Sequence, residues 1–93
     1  MERSFPHRLI HLRALDPARN IARDYSIWIS VDLFGDYVVE TCWGRIGAAG
    51  QRQRRSFPDA LSARRHLRAI FRKRRGARRR IGVDYHLVAV STG

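Results

Sequence analysis

The sequence predicts an α+β domain, a small antiparallel sheet of about five strands with a single α-helix packed on one face. Three observations carry this. From Arg8 to Trp43, apolar and polar residues alternate in successive short runs, which is the period of half-buried strands. From Ala60 to Phe71, the apolar residues Ala60, Ala63, Leu67, Ile70 and Phe71 fall on one stripe at helical spacing. The tail from Tyr85 to Val90 returns to a strand-like composition.

In chain order, residues 1–7 read as a short polar lead and residues 8–93 as a single domain. The first strand, Arg8 to Leu15, sets Ile10, Leu12 and Ala14 on one face and Leu9, His11 and Arg13 on the other. Asp16-Pro17 ends it, and residues 18–23 read as a loop or one helical turn. The second strand puts Tyr25, Ile27, Ile29 and Val31 on the core face and Ser26, Trp28 and Ser30 behind it. Asp32 to Asp36 has turn chemistry, and Tyr37 to Trp43 returns as the third strand. A fourth strand, Gln51 to Phe57, carries Arg52, Arg54 and Arg55 and has little to bury.

Ser56-Phe57-Pro58-Asp59 has capping-box spacing, with Ser56 as N-cap and Asp59 in the first turn. The helix is expected to reach about Arg75 and to stop at Gly76 in a left-handed cap. Arg65, Arg68 and Arg72 lie away from its apolar stripe. Arg78-Arg79-Arg80 reads as a loop before the closing strand.

Charge narrows the function. The net charge is +11, with 19 Lys and Arg against 8 Asp and Glu, and every basic residue except Lys73 is arginine. Genomic base composition can explain Arg in place of Lys, but not the excess of bases over acids. A domain this basic attracts polyanions, nucleic acid first, with anionic lipid and acidic proteins as the alternatives. Cys42 is the only cysteine, so no intrachain disulfide forms, and it reads as a small core residue. There is no apolar signal core near Met1 and no run approaching the roughly 20 apolar residues of a membrane span. The expected location is the cytoplasm, where a DNA binder of this charge would associate with the nucleoid.

Catalysis finds no support. His7, His11, His66 and His86 have no metal-ligand spacing, and one cysteine cannot build a thiolate zinc site. Turn chemistry accounts for Asp32 and Asp36. No Gly-Lys-Ser/Thr follows the glycines after Trp43, so there is no Walker loop. No metal, cofactor or enzymatic activity is expected.

The densest signal is Trp43-Gly44-Arg45-Ile46-Gly47-Ala48-Ala49-Gly50-Gln51. It sets an indole, a guanidinium and several glycines at the end of a strand. A flat aromatic face beside a fork of N–H donors suits a sugar or base next to a phosphate. Glycine also lets a second backbone or a ligand approach closely. From the residues alone the stretch is equally a Gly-rich hairpin whose Trp caps the core and whose Arg is solvated. Arg52, Arg54 and Arg55 follow it closely, and the helix adds Arg64, Arg65 and Arg68.

This spacing resembles the signature of the WGR domain, which takes its name from Trp43-Gly44-Arg45 as they stand here. Asp16 and Asn20 leading into Tyr25, the Phe34-Gly35-Asp36-Tyr37 hairpin and Gly82-Val83-Asp84-Tyr85 are similar to the same family, so the resemblance runs from about Leu9 to Val90. In poly(ADP-ribose) polymerases a similar domain grips DNA at a strand break, upstream of the catalytic part. The resemblance implies the same sheet-and-helix fold and no ADP-ribosyl transfer by this chain. It implies that Trp43 packs on the sugar of a terminal nucleotide, and that Arg45 holds backbone phosphates or a neighbouring protein domain. It sets Asn20 and Tyr85 near the strand end, although Asn20 also reads as a turn residue and Tyr85 as a core tyrosine. Arg78-Arg79-Arg80 departs from the pattern and either widens the phosphate footprint or reflects composition.

The expectation is a non-enzymatic module that binds duplex DNA, with a preference for ends or breaks. Trp43, Gly44, Arg45, Gln51, Arg52, Arg54, Asn20 and Tyr85 would form its contact set. The alternatives are a protein-interaction module docking through Trp43 and Arg45, and an RNA binder.

Overall fold

The computed structural model describes residues 8–92, so the polar lead expected over residues 1–7 lies outside the described residues. Asp16-Pro17 ends the first strand, β1 (Arg8–Asp16), as its lack of a ladder N–H requires. The chain reverses through one 3₁₀ turn, Pro17–Arg19, closed by Asn20. Asn20 sits at φ 55°, ψ 39°, a region that Asn tolerates better than most side chains, and its N–H donates to the Pro17 carbonyl.

The other elements are β2 (Ile21–Val31), β3 (Tyr37–Arg45), β4 (Gln51–Phe57), α1 (Ala60–Arg75), α2 (Ala77–Ile81) and β5 (His86–Thr92). All strand pairs are antiparallel, in the spatial order β4-β3-β2-β1-β5. The α+β architecture is the expected one, with a five-stranded sheet and one main helix against it.

Alternation sorts the side chains into two faces. Ile10 and Leu12 from β1, Tyr25, Ile27 and Ile29 from β2, and Val39 from β3 form the buried cluster under α1. The helix contributes Ile70 to it, with Leu67 and Phe71 packed at the margin. Ala63 and Ile70 are buried whereas Leu67 and Phe71 are half-buried, so the centre of the stripe lies nearer Ile70 than Phe71. The other face carries Trp28 and His11, and His11 Nε2 meets Asp24 Oδ1 at 2.8 Å beside Arg13 at 2.9 Å. Cys42 lies on this second face opposite Ser26, half-buried, rather than in the core.

Several boundaries differ from the expected ones, each for a local reason. Ile21 to Arg23 pair with Asp16 to Ala14, so the expected loop is shorter by these residues. The longer β2 supplies ladder partners beyond Trp43, and β3 therefore continues through Gly44 to Arg45. Ser56 is held in β4 opposite Val38, which leaves Asp59 to cap the helix by accepting from the Ser62 N–H at 2.7 Å. Gly76 has φ −81°, so it is not a left-handed cap; the chain turns directly into α2, which buries Ala77. The left-handed cap is Gly82, one short helix later, so Arg78 to Arg80 are helical rather than loop. Arg80 caps α1 itself by donating to the Lys73 carbonyl at 2.8 Å. His86 rather than Tyr85 opens the last strand.

Both sheet edges are guarded. β4 exposes Arg52, Arg54 and Arg55, and charged edges resist pairing with other chains. β5 exposes Leu87, Val88 and Val90, but its register with β1 shifts between His11 and Leu12, and a bulge there twists the edge.

The Asp59 cap makes helix stability sensitive to acid. Hydrogen bonds from the Ser62 backbone hold its carboxyl below the ordinary 3.8. A depressed folded-state pKa gives stability that is present above the unfolded value and lost as pH falls through the folded one. Asp59→Ala is expected to lower the melting temperature at neutral pH and to narrow that difference below pH of about 3.8, followed by circular dichroism.

Candidate nucleic-acid interface

Strand direction gathers one set of segments at one end of the sheet. The β1–β2 turn, the β3–β4 loop, the C-terminus of α1, and α2 with the lead into β5 all lie there. Two arginines tie these segments together. Arg19 donates to Asp16 Oδ2 at 2.7 Å and to the Gly82 carbonyl at 2.6 Å, joining the first turn to the entry of β5. Arg45 donates to the Asn20 carbonyl at 3.1 Å and to Asn20 Oδ1 at 2.8 Å, joining the signature strand to the same turn.

Trp43 stands on the helix side of β3 and is half-buried. Its ring lies 6.0 Å from that of Tyr25 at an interplanar angle of 21°, an offset stack. Tyr85 meets the same Tyr25 ring edge-on at 6.3 Å. The Arg74 guanidinium sits 4.3 Å above Tyr25 and 5.7 Å from Tyr85, within cation–π range of both. Arg74 Nε is buried with no hydrogen-bond partner among the described residues. Burial pushes the Tyr25 hydroxyl above its ordinary value, and the charge of Arg74 works against that shift. Beside this aromatic stack a cavity of about 400 Å³ opens between sheet and helix, lined by Trp43, Gln53, His66, Lys73 and Arg74 among others.

The last turn of α1 reads Arg72-Lys73-Arg74-Arg75 and points to this end. Unpaired carbonyls give a helix C-terminus partial negative charge, so four cations there suit the helix as well as a ligand. Together with Arg45, Arg23 and Arg79 they make this end strongly cationic.

The glycines of the signature serve the hairpin. A Cβ on Gly44 would lie 2.8 Å from the Gly50 Cα, and one on Gly50 would lie 2.5 Å from the Trp43 carbonyl oxygen. Gly50 also has φ +72°. The close approach is therefore between two backbone segments, and it sets the end of β3 that carries Trp43. Gly50→Ala is expected to cost about 1–2 kcal/mol from left-handed backbone alone, before the contact with Trp43 is counted. A thermal melt and the Trp emission spectrum check it; an unchanged melt would show that the loop has another way to close.

The expected contact residues divide between two faces. Trp43, Gly44, Arg45, Asn20 and Tyr85 share the cationic end, and Gln51 is the register partner of Trp43. Arg52 and Arg54 alternate to the opposite face of the sheet, beside Cys42 and Glu40. Asn20 is a turn residue and Tyr85 packs at the core margin, yet both also border the Trp43 end. Arg74, absent from the expected contact set, joins this end through Tyr25, a partner distant in sequence; its position in the last helical turn is the signal the sequence carries. Among the described residues, no group of three or more His, Cys, Asp or Glu could hold a metal ion, and no helix is long and apolar enough to cross a membrane.

A family model described as the WGR domain matches residues 9–80, a stretch that contains the whole Trp43–Gln51 signature and stops before β5. Uncharacterized protein y4dW of Sinorhizobium fredii is 40% identical over 72 residues, which cover 77% of this chain. The chain spans about a third, 35%, of the length of that curated relative. No solved structure matches.

Proposed function

The chain belongs to the WGR domain family, and from that membership we propose a non-enzymatic module that binds duplex DNA through backbone phosphates and prefers strand ends. The observation that supports this reading is the convergence at one end of the sheet of Trp43, stacked on Tyr25, with Arg45 and the four cations closing α1. Trp43 stacks on a terminal sugar, Arg45 and Asn20 line the strand end with Gln51 and Tyr85, and the helix cations neutralise phosphates. Arg52 and Arg54 lie on the other face and outside this footprint. Sequence reading has no place in it, since contacts to backbone phosphates and a terminal sugar carry no base identity. The cytoplasm is the compartment that fits a DNA binder with one free thiol.

The test is a titration against linear and closed-circular duplex DNA at several salt concentrations. If Arg45, Arg72, Lys73, Arg75 and Arg79 each meet a phosphate, log K falls against log salt with a slope of about −4.5. Linear DNA binds more tightly than circular. A slope near zero, or no binding at low salt, removes DNA as the partner and leaves docking on a protein through Trp43 and Arg45.

A further inference from the structure

Leu33 and Phe34 are the most exposed large apolar side chains among the described residues, at 100% and 89%. They form the tip of the β2–β3 hairpin, at the opposite end of β3 from Trp43. The tip is rigid. Asp32 Oδ1 accepts from the Phe34 N–H at 2.9 Å and the Asp36 N–H at 3.0 Å, and the Gly35 N–H donates to the Asp32 carbonyl at 3.1 Å. Gly35 supplies the φ of +84° that the turn needs. The backbone closes without help from the Leu33 and Phe34 side chains, and neither serves the core. Two adjacent apolar groups held out into water on such a turn are a preorganised anchor, which loses little freedom on binding.

Charge limits what the anchor can enter. From Val31 to Tyr37 the chain has two carboxylates, Asp32 and Asp36, and no base. Like charges placed together disfavour phosphate, so neither a nucleic-acid groove nor an anionic lipid surface suits the tip. An apolar hollow with a cationic rim does, and the other end of this chain carries one. The cavity of about 400 Å³ between sheet and helix has Trp43, Ala69 and Ile70 in its wall, with Lys73 and Arg74 beside them. Apolar cavities of about 150 Å³ already hold benzene, so there is room for a phenyl ring. A chain cannot fill its own cavity, because about 20 Å of strand separates Tyr25, the partner of Trp43, from Val31 at the hairpin end. We propose that the Leu33–Phe34 tip docks in the cavity of a second copy of this chain. Phe34 enters beside Trp43 and Ile70, Leu33 covers the mouth, and the carboxylates of the tip face Lys73 and Arg74. Tip and cavity are different surfaces, so the contact is head-to-tail. Two side chains bury far less than the about 1,200 Å² of stable interfaces, so association is weak and grows with concentration. The net charge of +11 opposes it, but at about 0.15 M salt charges more than about 8 Å apart are largely screened, and the local pairing decides.

Sedimentation velocity without nucleic acid tests the contact, so its outcome does not depend on the DNA reading. The expected result is an average mass that rises with protein concentration up to about 1 mM. Leu33→Ser/Phe34→Ser removes the anchor at exposed positions. Ala69→Glu, at an exposed helix position, sets a carboxylate at the cavity mouth one turn before Lys73. Each variant alone is expected to associate about ten- to hundredfold more weakly than the parent. Mixed, they pair with each other at parent-like affinity, because the first keeps its cavity and the second keeps its tip. Circular dichroism establishes that both are folded; where Ala69→Glu is not, Lys73→Glu takes its place. A parent that stays monomeric overturns the proposal, as does a folded tip variant that associates like the parent or a mixture that fails to pair. With a monomeric parent, binding to phosphatidylglycerol vesicles that the tip variant loses reassigns the tip to a lipid surface.

Discussion

Ile27→Ala is expected to lower the stability of the domain by about 2–5 kcal/mol, enough to populate the unfolded state at ordinary temperature. Ile27 is 0% exposed at the centre of the sheet, between Leu12 and Ile10 on β1, Val39 on β3 and Ile70 on the helix. Removing its side chain beyond Cβ deletes buried apolar surface and leaves a cavity that the flanking strands, held by ladders on both sides, cannot collapse to fill. Small domains start from a total of about 5–15 kcal/mol, toward the lower end for this size. Self-repulsion from a net charge of +11 reduces it further. Urea denaturation followed by circular dichroism reads the loss as a lower midpoint at unchanged slope. Phe71→Ala, at a half-buried position, is expected to cost less. If the Ile27 variant melts as the parent does, the core is centred elsewhere.

Trp43→Ala is expected to erase most of the preference for linear over closed-circular DNA. Losing one stacking contact costs about 1–3 kcal/mol, a roughly five- to hundredfold loss of affinity. The salt slope stays nearly intact, because the indole carries no charge. Arg45→Ala is expected to show the converse pattern, a slope smaller by about one unit, since it removes the phosphate contact proposed for Arg45. It also frees the Asn20 turn, because two of the five N–H donors of Arg45 are spent there. Trp43 contributes to folding through Tyr25, so each variant is compared at matched folded fraction, measured by circular dichroism. A folded Trp43→Ala that binds linear and circular DNA as the parent does removes end recognition and leaves Trp43 as a core or partner-facing residue.

The sequence by itself determined the five strands, the main helix and the inward faces of β1, β2 and that helix. Ile10, Leu12 and Ala14, then Tyr25, Ile27 and Ile29, are written at period two, and Ala63, Leu67 and Ile70 at helical period; burial follows those periods directly because each is a local geometric property of the backbone. The Trp43–Gln51 signature was equally legible, since its residues are adjacent in the chain. What the sequence left open was every choice that depends on residues far apart. Ser56 has the chemistry of an N-cap, but its pairing with Val38 claims it for the sheet and Asp59 takes the role. Gly76 has the freedom of a left-handed cap, but burial of Ala77 carries the chain into a second short helix. Arg74 reads as one more cation of a basic helix until the fold sets it over Tyr25. Arg52 and Arg54 follow the signature within a few residues, yet strand alternation turns them to the face of Trp28, away from Trp43. Periodicity says which side of its own element a residue takes, but only the assembled sheet decides which distant residues share that side.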